Sequence, residues 1–134
     1  MQHDAEQTAR VNSAMPFGAT LGLEIVAASR DEVQARLVWE ERLCTAGGIL
    51  HGGALMSLAD TAGAYLAFLN LPDGAGGTAT IESKTNFFRA VREGHAQARS
   101  RLLHRGRTTI VVETDIFDEA EKHVARVTQT QAVL

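Results

Sequence analysis

The chain has 134 residues, of which 45% are hydrophobic and 22% charged, and this composition predicts one globular domain. A net charge of −3 and a pI of about 5.9 argue against a nucleic-acid partner, since such binding usually brings a strong basic excess. The single cysteine, Cys44, excludes a disulfide within the chain. The sequence shows neither a signal-peptide pattern nor an apolar run long enough to cross a bilayer. We therefore expect a cytoplasmic protein without a membrane partner.

The first part of the chain predicts a short polar surface helix followed by two strands. The helix is expected at 3–14, within an N-terminal extension covering 1–16, and residues 16–22 are expected to form a loop or a helix end. The second strand alternates, with Val33, Ala35, Leu37 and Trp39 on one side and polar residues on the other. Because no linker or repeat follows, we expect one domain over 1–134.

The second part of the chain predicts one long helix and then four strands. The helix is expected at 53–69, and the strands at 78–88, 94–103, 108–117 and 123–133. Consecutive strands joined by tight turns form antiparallel sheets. A helix that is apolar nearly all round needs cover on every side. We therefore expect an α+β fold in which a curved antiparallel sheet wraps this helix and a second subunit covers its remaining face.

One acidic residue, Asp60, interrupts the apolar helix. Its helical neighbours are mostly small, and we expect Gly63, Ala64 and Ala67 to pack near a neighbouring subunit. A carboxylate in such a place is either structural, bonded to nearby groups, or kept basic in a partly dry crevice for chemistry. Both interpretations remain open from the helix alone.

A glycine pair, Gly52 and Gly53, stands at the predicted start of the same helix. Backbone N–H groups there lack intrahelical partners, and glycine lets a ligand come close to them. A carbonyl oxygen that accepts from the Gly52 N–H would be polarised. A helical carboxylate about two turns further on makes acyl hydrolysis a plausible chemistry.

Four segments resemble one known family. The motif "HGGALMSLADTAGAYLA" is similar to that of hotdog-fold acyl-CoA thioesterases of the PaaI-like, phenylacetate-pathway group. The segments "PFGATLGLEIV", "TIESKTNFFRAVREG" and "HRGRTTIVVETDIFD" extend the resemblance over nearly the whole chain from Phe17. The resemblance implies a curved antiparallel sheet around a central helix and a homodimer or homotetramer whose active sites are shared between subunits.

The resemblance also implies roles for individual residues. Asp60 matches the catalytic carboxylate, acting as general base or as nucleophile, and Gly52 matches the N–H that polarises the thioester carbonyl. His51 matches a residue that orients the loop and the thioester, and Thr80 matches a hydroxyl that helps place the water. Thr45 stands where many relatives carry Asn or Gln, and its shorter side chain puts the assistance from that position in doubt.

The basic residues cluster in two predicted turns at opposite ends of one strand. They are either solvated hairpin ends or, as the resemblance implies, contacts for the phosphates of coenzyme A, which a two-fold axis could bring together. The implied substrate-binding set is Gly53, Phe88, Arg89, Arg92, His104, Arg105, Gly106, Arg107 and Thr108.

These patterns predict an acyl-CoA thioesterase that releases a free acid and CoA, with an aromatic or a short-to-medium acyl group. No metal or redox cofactor is expected, since the histidines show no metal-ligand spacing. The alternatives are a non-catalytic acyl-CoA-binding protein of the same fold and, ranked lowest, a hydratase or dehydratase.

Overall fold

A six-stranded antiparallel sheet and one long helix dominate the computed structural model, which describes residues 3–134. The helices are α1 (Ala5–Ala14), α2 (Pro16–Leu21) and α3 (Gly52–Leu69), with a 3-10 turn at Glu41–Leu43. The strands are β1 (Glu24–Ala28), β2 (Glu32–Val38), β3 (Thr78–Phe87), β4 (His95–Arg105), β5 (Thr109–Asp118) and β6 (His123–Val133). Their order in the sheet is β1-β2-β4-β5-β6-β3, so β1 and β3 are the edges.

Helix α3 packs against the concave side of this sheet, chiefly on β2, β4 and β5. Its sheet-facing side chains, among them Leu55, Leu58 and Leu66, are almost completely buried. The opposite side of the helix leaves Met56, Asp60 and Phe68 exposed. The α+β class and the sheet packed around a central helix are confirmed, and each predicted strand after the helix lies within two residues of its predicted bounds.

The N-terminal region differs from the expectation in two details. Residues 16–21, expected as a loop or a helix end, form α2, which ends at Gly22 in the left-handed region with φ of 75°. Helix α1 is capped by Asp4, whose side chain accepts from the Gln7 N–H at 2.9 Å, and it buries Val11 in the core. Met1 and Gln2 of the expected extension lie outside the described residues. No helix within 3–134 combines the length and the apolar character that crossing a bilayer requires.

The convex face of the sheet carries a charge cluster centred on Asp115 of β5, which is only 5% exposed. Arg126 Nε and His123 Nε2 lie 2.8 Å from one carboxylate oxygen, and Arg101 donates to the other at 3.0 Å. Burial alone would raise the pKa of Asp115, but the hydrogen bonds from Arg126, Arg101 and His123 outweigh burial and lower it. The ionised carboxylate therefore stabilises the folded sheet.

Replacing this carboxylate tests its contribution to stability. We expect Asp115→Asn to lower the free energy of unfolding by about 1 kcal/mol near pH 7, a small value because the arginine partners are half-exposed and screened. Because the pKa is lowered on folding, the stabilisation is present above the unfolded pKa of about 3.9 and is lost as the pH falls through the folded value. Urea unfolding of both proteins from about pH 7 to pH 3 should show that their difference in unfolding free energy narrows only below about pH 4. The same difference at every pH would contradict this account. Asp73→Asn, a substitution in an exposed loop, is the control.

Candidate functional site

The loop before α3 is held in a fixed shape by backbone contacts. The N–H of Thr45 donates to the carbonyl of Ile49 at 2.8 Å, and the two glycines between them, Gly47 and Gly48, have φ values of 81° and 71°. Glycine adopts this left-handed conformation without the steric cost that other residues meet. The Trp39 indole N–H donates to the Gly48 carbonyl at 3.0 Å. These contacts bring the chain to the start of α3 in a defined direction.

His51 caps the N-terminus of α3 with its side chain. Its Nδ1 atom accepts from the Gly53 N–H at 2.8 Å, so in this arrangement Nδ1 carries no proton and the neutral ring is protonated on Nε2. A Cβ on Gly53 would lie 2.9 Å from that same Nδ1, and this explains why glycine stands there. The structure therefore gives His51 a definite role in shaping the helix start.

The N–H of Gly52 is the open donor of this helix start. As the first residue of α3 it has no intrahelical acceptor, and within residues 3–134 no other acceptor is bonded to it. The Phe87 ring covers the glycine closely, because a Cβ added there would lie 3.2 Å from Phe87 Cζ. Gly52 also lines a depression of about 350 Å³ together with Thr45, Phe88 and Arg89. An electronegative atom that enters this depression can reach an unsatisfied donor.

Asp60 lies two turns further along α3 and contacts the edge strand. The Thr80 hydroxyl donates to Asp60 Oδ1 at 3.1 Å, so the structure brings together two residues that the sequence placed twenty positions apart. In the single chain Asp60 is exposed, so a partly dry crevice around it would need cover from a second chain. It lines a shallow depression of about 260 Å³ that also includes Phe17 and Ser83.

A β-bulge places these polar side chains on the helix side of the sheet. The register between β3 and β6 shifts at Ile81, so that Thr80 faces Gln131 and Ser83 faces Gln129. Gln131 Nε2 donates to the Thr80 hydroxyl at 2.7 Å. Neither glutamine was predicted as a site residue from the sequence, although two glutamines on the apolar face of an alternating strand are a signal that a polar group lies opposite.

The small residues near Asp60 serve the chain itself. Gly63 and Ala67, expected to meet a neighbouring subunit, are buried within the single chain. A Cβ on Gly63 would lie 2.5 Å from Gln129 Nε2, so the missing side chain admits a residue of β6. Of the three residues expected at a subunit contact, only Ala64 remains partly accessible.

Gly52 and Asp60 do not converge on one point within the chain. Eight residues of α-helix separate them, which is about 12 Å along the axis. A thioester carbonyl that accepts from the Gly52 N–H cannot at the same time lie within reach of the same chain's Asp60. One chain therefore carries two separate candidate half-sites, one around Gly52 and one around Asp60.

The two basic turns lie far apart and differ in charge. Arg89 lies next to the Gly52 depression, but it pairs with Asp118 at 3.6 Å, and the adjoining groove also carries acidic residues. The turn at 104–108 leaves its basic side chains exposed, and Arg105 donates to Asn70 at the end of α3 at 3.2 Å. Strand β4 separates the turns by about 35 Å. The structure does not bring them together within one chain.

Comparisons with known proteins identify the family and the fold of this chain. Residues 47–125 match the thioesterase superfamily. The proofreading thioesterase EntH of Cronobacter turicensis is 33% identical over 99 residues, which cover 74% of this chain and 72% of that protein. The structure of thioesterase HI1161 from Haemophilus influenzae is 28% identical, with a TM-score of 0.88 over 100% of this chain and 92% of that one. The Escherichia coli PaaI protein of the phenylacetic acid degradation operon shares the fold, with 23% identity and a TM-score of 0.84 over 97% of this chain and 93% of that one.

Proposed function

Since this chain belongs to the thioesterase superfamily and is a thioester hydrolase of the hotdog fold, we propose that it hydrolyses acyl-CoA to a free acid and CoA in the cytoplasm. The thioesterase superfamily expected from the sequence is confirmed, and the fold is shared with the PaaI protein. We further propose that each chain forms a single domain and that the active unit is a homodimer or a homotetramer. No metal or redox cofactor enters the proposed reaction.

One observation carries this proposal: a single helix presents an open backbone donor at Gly52 and, two turns on, a hydroxyl-bonded carboxylate at Asp60. Thioester hydrolysis needs both kinds of group. A donor must stabilise the negative charge that develops on the carbonyl oxygen, and a carboxylate must activate water or attack the carbonyl carbon itself.

The proposed chemistry follows from these two groups. The thioester oxygen accepts from the Gly52 N–H, which polarises the carbonyl. Asp60 either removes a proton from water as the water adds to the carbonyl carbon, or adds to that carbon and forms an anhydride that water then opens. In both routes the bond from carbon to sulfur breaks, the CoA thiolate leaves and takes up a proton, and the acid is released. His51 holds the Gly52 N–H in place through its cap on Gly53.

The separation of about 12 Å between the half-sites supports a site shared between two chains. Strand β3 is an edge strand of ten residues with a free side, and it exposes Ile81 and Phe87. Such an edge readily pairs with another strand. Because β3 begins beside Asp60 and ends at Gly52, antiparallel pairing of two copies brings the Gly52 half-site of one chain toward the Asp60 half-site of the other.

An apolar groove beside Thr80 supports the proposed acyl group. It has a volume of about 490 Å³, and its walls are formed by Val11 of α1, by Met15 directly after that helix, and by Tyr65 and Phe68 of α3. Thr80 also lines this groove, one hydrogen bond away from Asp60. A groove of this size and character suits an aromatic ring or a short-to-medium acyl chain.

The exposed basic turn at 104–108 is the better candidate for binding the CoA phosphates, because the positive charge of the turn around Arg89 is partly neutralised by acidic neighbours.

Removing the carboxylate tests the reaction class. We expect the wild-type protein to release free thiol from at least one member of an aromatic and aliphatic acyl-CoA panel, followed with a thiol-reactive dye. Asp60→Asn keeps the shape and removes the base, so kcat should fall by about 10² or more. Asp73→Asn, in an exposed loop, is the matched control. Binding without thiol release would instead identify an acyl-CoA-binding protein, and a rate within threefold of wild type for Asp60→Asn would make Asp60 structural.

Removing one N–H tests the electrophilic half of the site. Gly52→Pro deletes the donor, and the backbone suits the ring, since proline is accepted at the first helical position and His51 already has the extended ψ of 136° that proline requires before it. We expect kcat to fall by about 10² to 10³. Gly52→Ala adds a similar Cβ beside Phe87 and keeps the N–H, so it should lose far less. Equal losses of kcat in both variants would show that crowding against Phe87 causes them.

Thr45→Ala should lower kcat only slightly, because the side chain at this position already lacks an amide.

Mixing two inactive chains tests whether the site is shared. A dimer of one Gly52→Pro chain and one Asp60→Asn chain has one site in which both residues are intact, if Gly52 and Asp60 come from different chains. Random mixing in equal amounts should restore about a quarter of the wild-type rate. The two variants carry different tags, so that dimers with one chain of each can be purified and identified by their mass in native mass spectrometry. If such dimers remain inactive, each chain uses its own pair and the shared site is wrong.

A further inference from the structure

We infer that two buried glutamines of β6, Gln129 and Gln131, are positioning residues that aim the hydroxyl proton of Thr80 at Asp60. The inference rests on the proposed role of Asp60. Both glutamines are at most 1% exposed, and a buried amide needs partners for its NH2 group and for its oxygen. The hydrogen bonds of these amides form one continuous path from the backbone of α3, through β6 and β3, to the carboxylate.

The direction of this path is set by a backbone carbonyl. Gln129 Nε2 lies 3.1 Å from the carbonyl oxygen of Ala59, and that oxygen can only accept. Gln129 must therefore present its NH2 group to the helix, which turns its own oxygen toward Gln131. Because this oxygen also only accepts, Gln131 must offer its NH2 group in return. Neither amide can be turned over without leaving two acceptors facing each other.

The same reasoning reaches Thr80 and then Asp60. The NH2 group of Gln131 also donates to Thr80 Oγ1 at 2.7 Å. A hydroxyl has one proton, and with Gln131 occupying a lone pair the proton is directed to Asp60 Oδ1 at 3.1 Å. Within residues 3–134 no hydrogen bond is made to Asp60 Oδ2. The path therefore fixes one carboxylate oxygen and leaves the other free for water or for attack.

The fold makes room for this path at one place in α3. A Cβ on Gly63 would lie 2.5 Å from Gln129 Nε2 and 2.8 Å from its Cδ atom. Glycine in a helix interior is less stable than alanine, so its presence here needs a reason. The reason is the approach of Gln129 to the Ala59 carbonyl. The path begins at the carbonyl of Ala59 and ends at the carboxylate of Asp60, which is the next residue in the chain.

Catalysis benefits when a working group is held in place before the reaction begins. Gln131→Met preserves the length of the side chain and removes the donor to Thr80. We expect kcat to fall about tenfold while KM stays within about twofold. Gln97→Met is the matched control, since Gln97 is also buried in a strand and donates to Gln34 at 3.1 Å on the convex face. Its kcat should be that of the wild type.

A double-mutant cycle separates positioning from packing. Thr80→Val removes the hydroxyl and keeps the shape of the side chain. If Gln131 acts through Thr80, adding Gln131→Met to Thr80→Val should cause no further fall in kcat, whereas a packing role predicts that the two losses multiply. Gln129→Met, one step further from Asp60, should lower kcat about threefold and show the same dependence on Thr80, and it replaces Gln131→Met if that variant does not fold. Multiplying losses, or an unchanged kcat in a folded Gln131→Met protein, would overturn the inference.

A measurement without turnover keeps this test independent of the proposed reaction. The side-chain NH2 signals of Gln129 and Gln131 in a ¹⁵N NMR spectrum should exchange slowly with solvent, and those of Gln131 should shift in Thr80→Val while those of Gln97 stay in place. Unshifted Gln131 signals would overturn the path even if the enzyme is active. Conversely, shifted signals in a protein that releases no thiol would sustain the path and reject the proposed function.

Discussion

Helix α3 is too apolar to face water along most of its surface, and the rest of the structure follows from that constraint. The curved sheet buries the long aliphatic side chains of α3, and the order of the strands places β2, β4 and β5 against this helix. One stripe remains uncovered, including Met56, Asp60 and Phe68. Both half-sites lie along this stripe or at its start. The place where the sheet stops covering the helix is therefore the place where the proposed chemistry occurs.

The concave and convex faces of the sheet use polar groups in different ways. On the convex face, Asp115 and the surrounding arginines form charge pairs that stabilise the sheet, and half-exposed partners keep the cost of burial low. On the concave face the polar groups are neutral, and Gln129 and Gln131 are bonded to backbone or to hydroxyl oxygens. A neutral amide costs less to bury than a charge, and its fixed donor and acceptor give a network a direction. This difference is why the path to Asp60 can pass through the core.

Strand β3 links the two half-sites. It carries Thr80 beside Asp60 at its start and Phe87 over Gly52 at its end. The bulge at Ile81 turns Thr80 and Ser83 toward the helix and leaves Ile81 itself 62% exposed. An edge strand of this kind is free to pair along one side. The same strand thus contacts both groups to which catalysis is assigned in the proposed function, and it offers the edge at which a second chain would complete the proposed site.

The sequence by itself determined the long apolar helix, the alternating strands and their bounds, because hydrophobic periodicity and turn residues are local properties. It also placed His51, Gly52 and Asp60 by a contiguous motif, whose spacing along one helix needs no knowledge of the remaining chain. It did not indicate that Gly63 makes room for Gln129, or that Thr80 is held by Gln131, since those contacts join residues 66 and 51 positions apart. Only the tertiary structure decided the bulge that turns Thr80 inward and the exposure of Asp60. Both depend on strand register and on which side of the helix the sheet covers, and these are set by packing between distant segments.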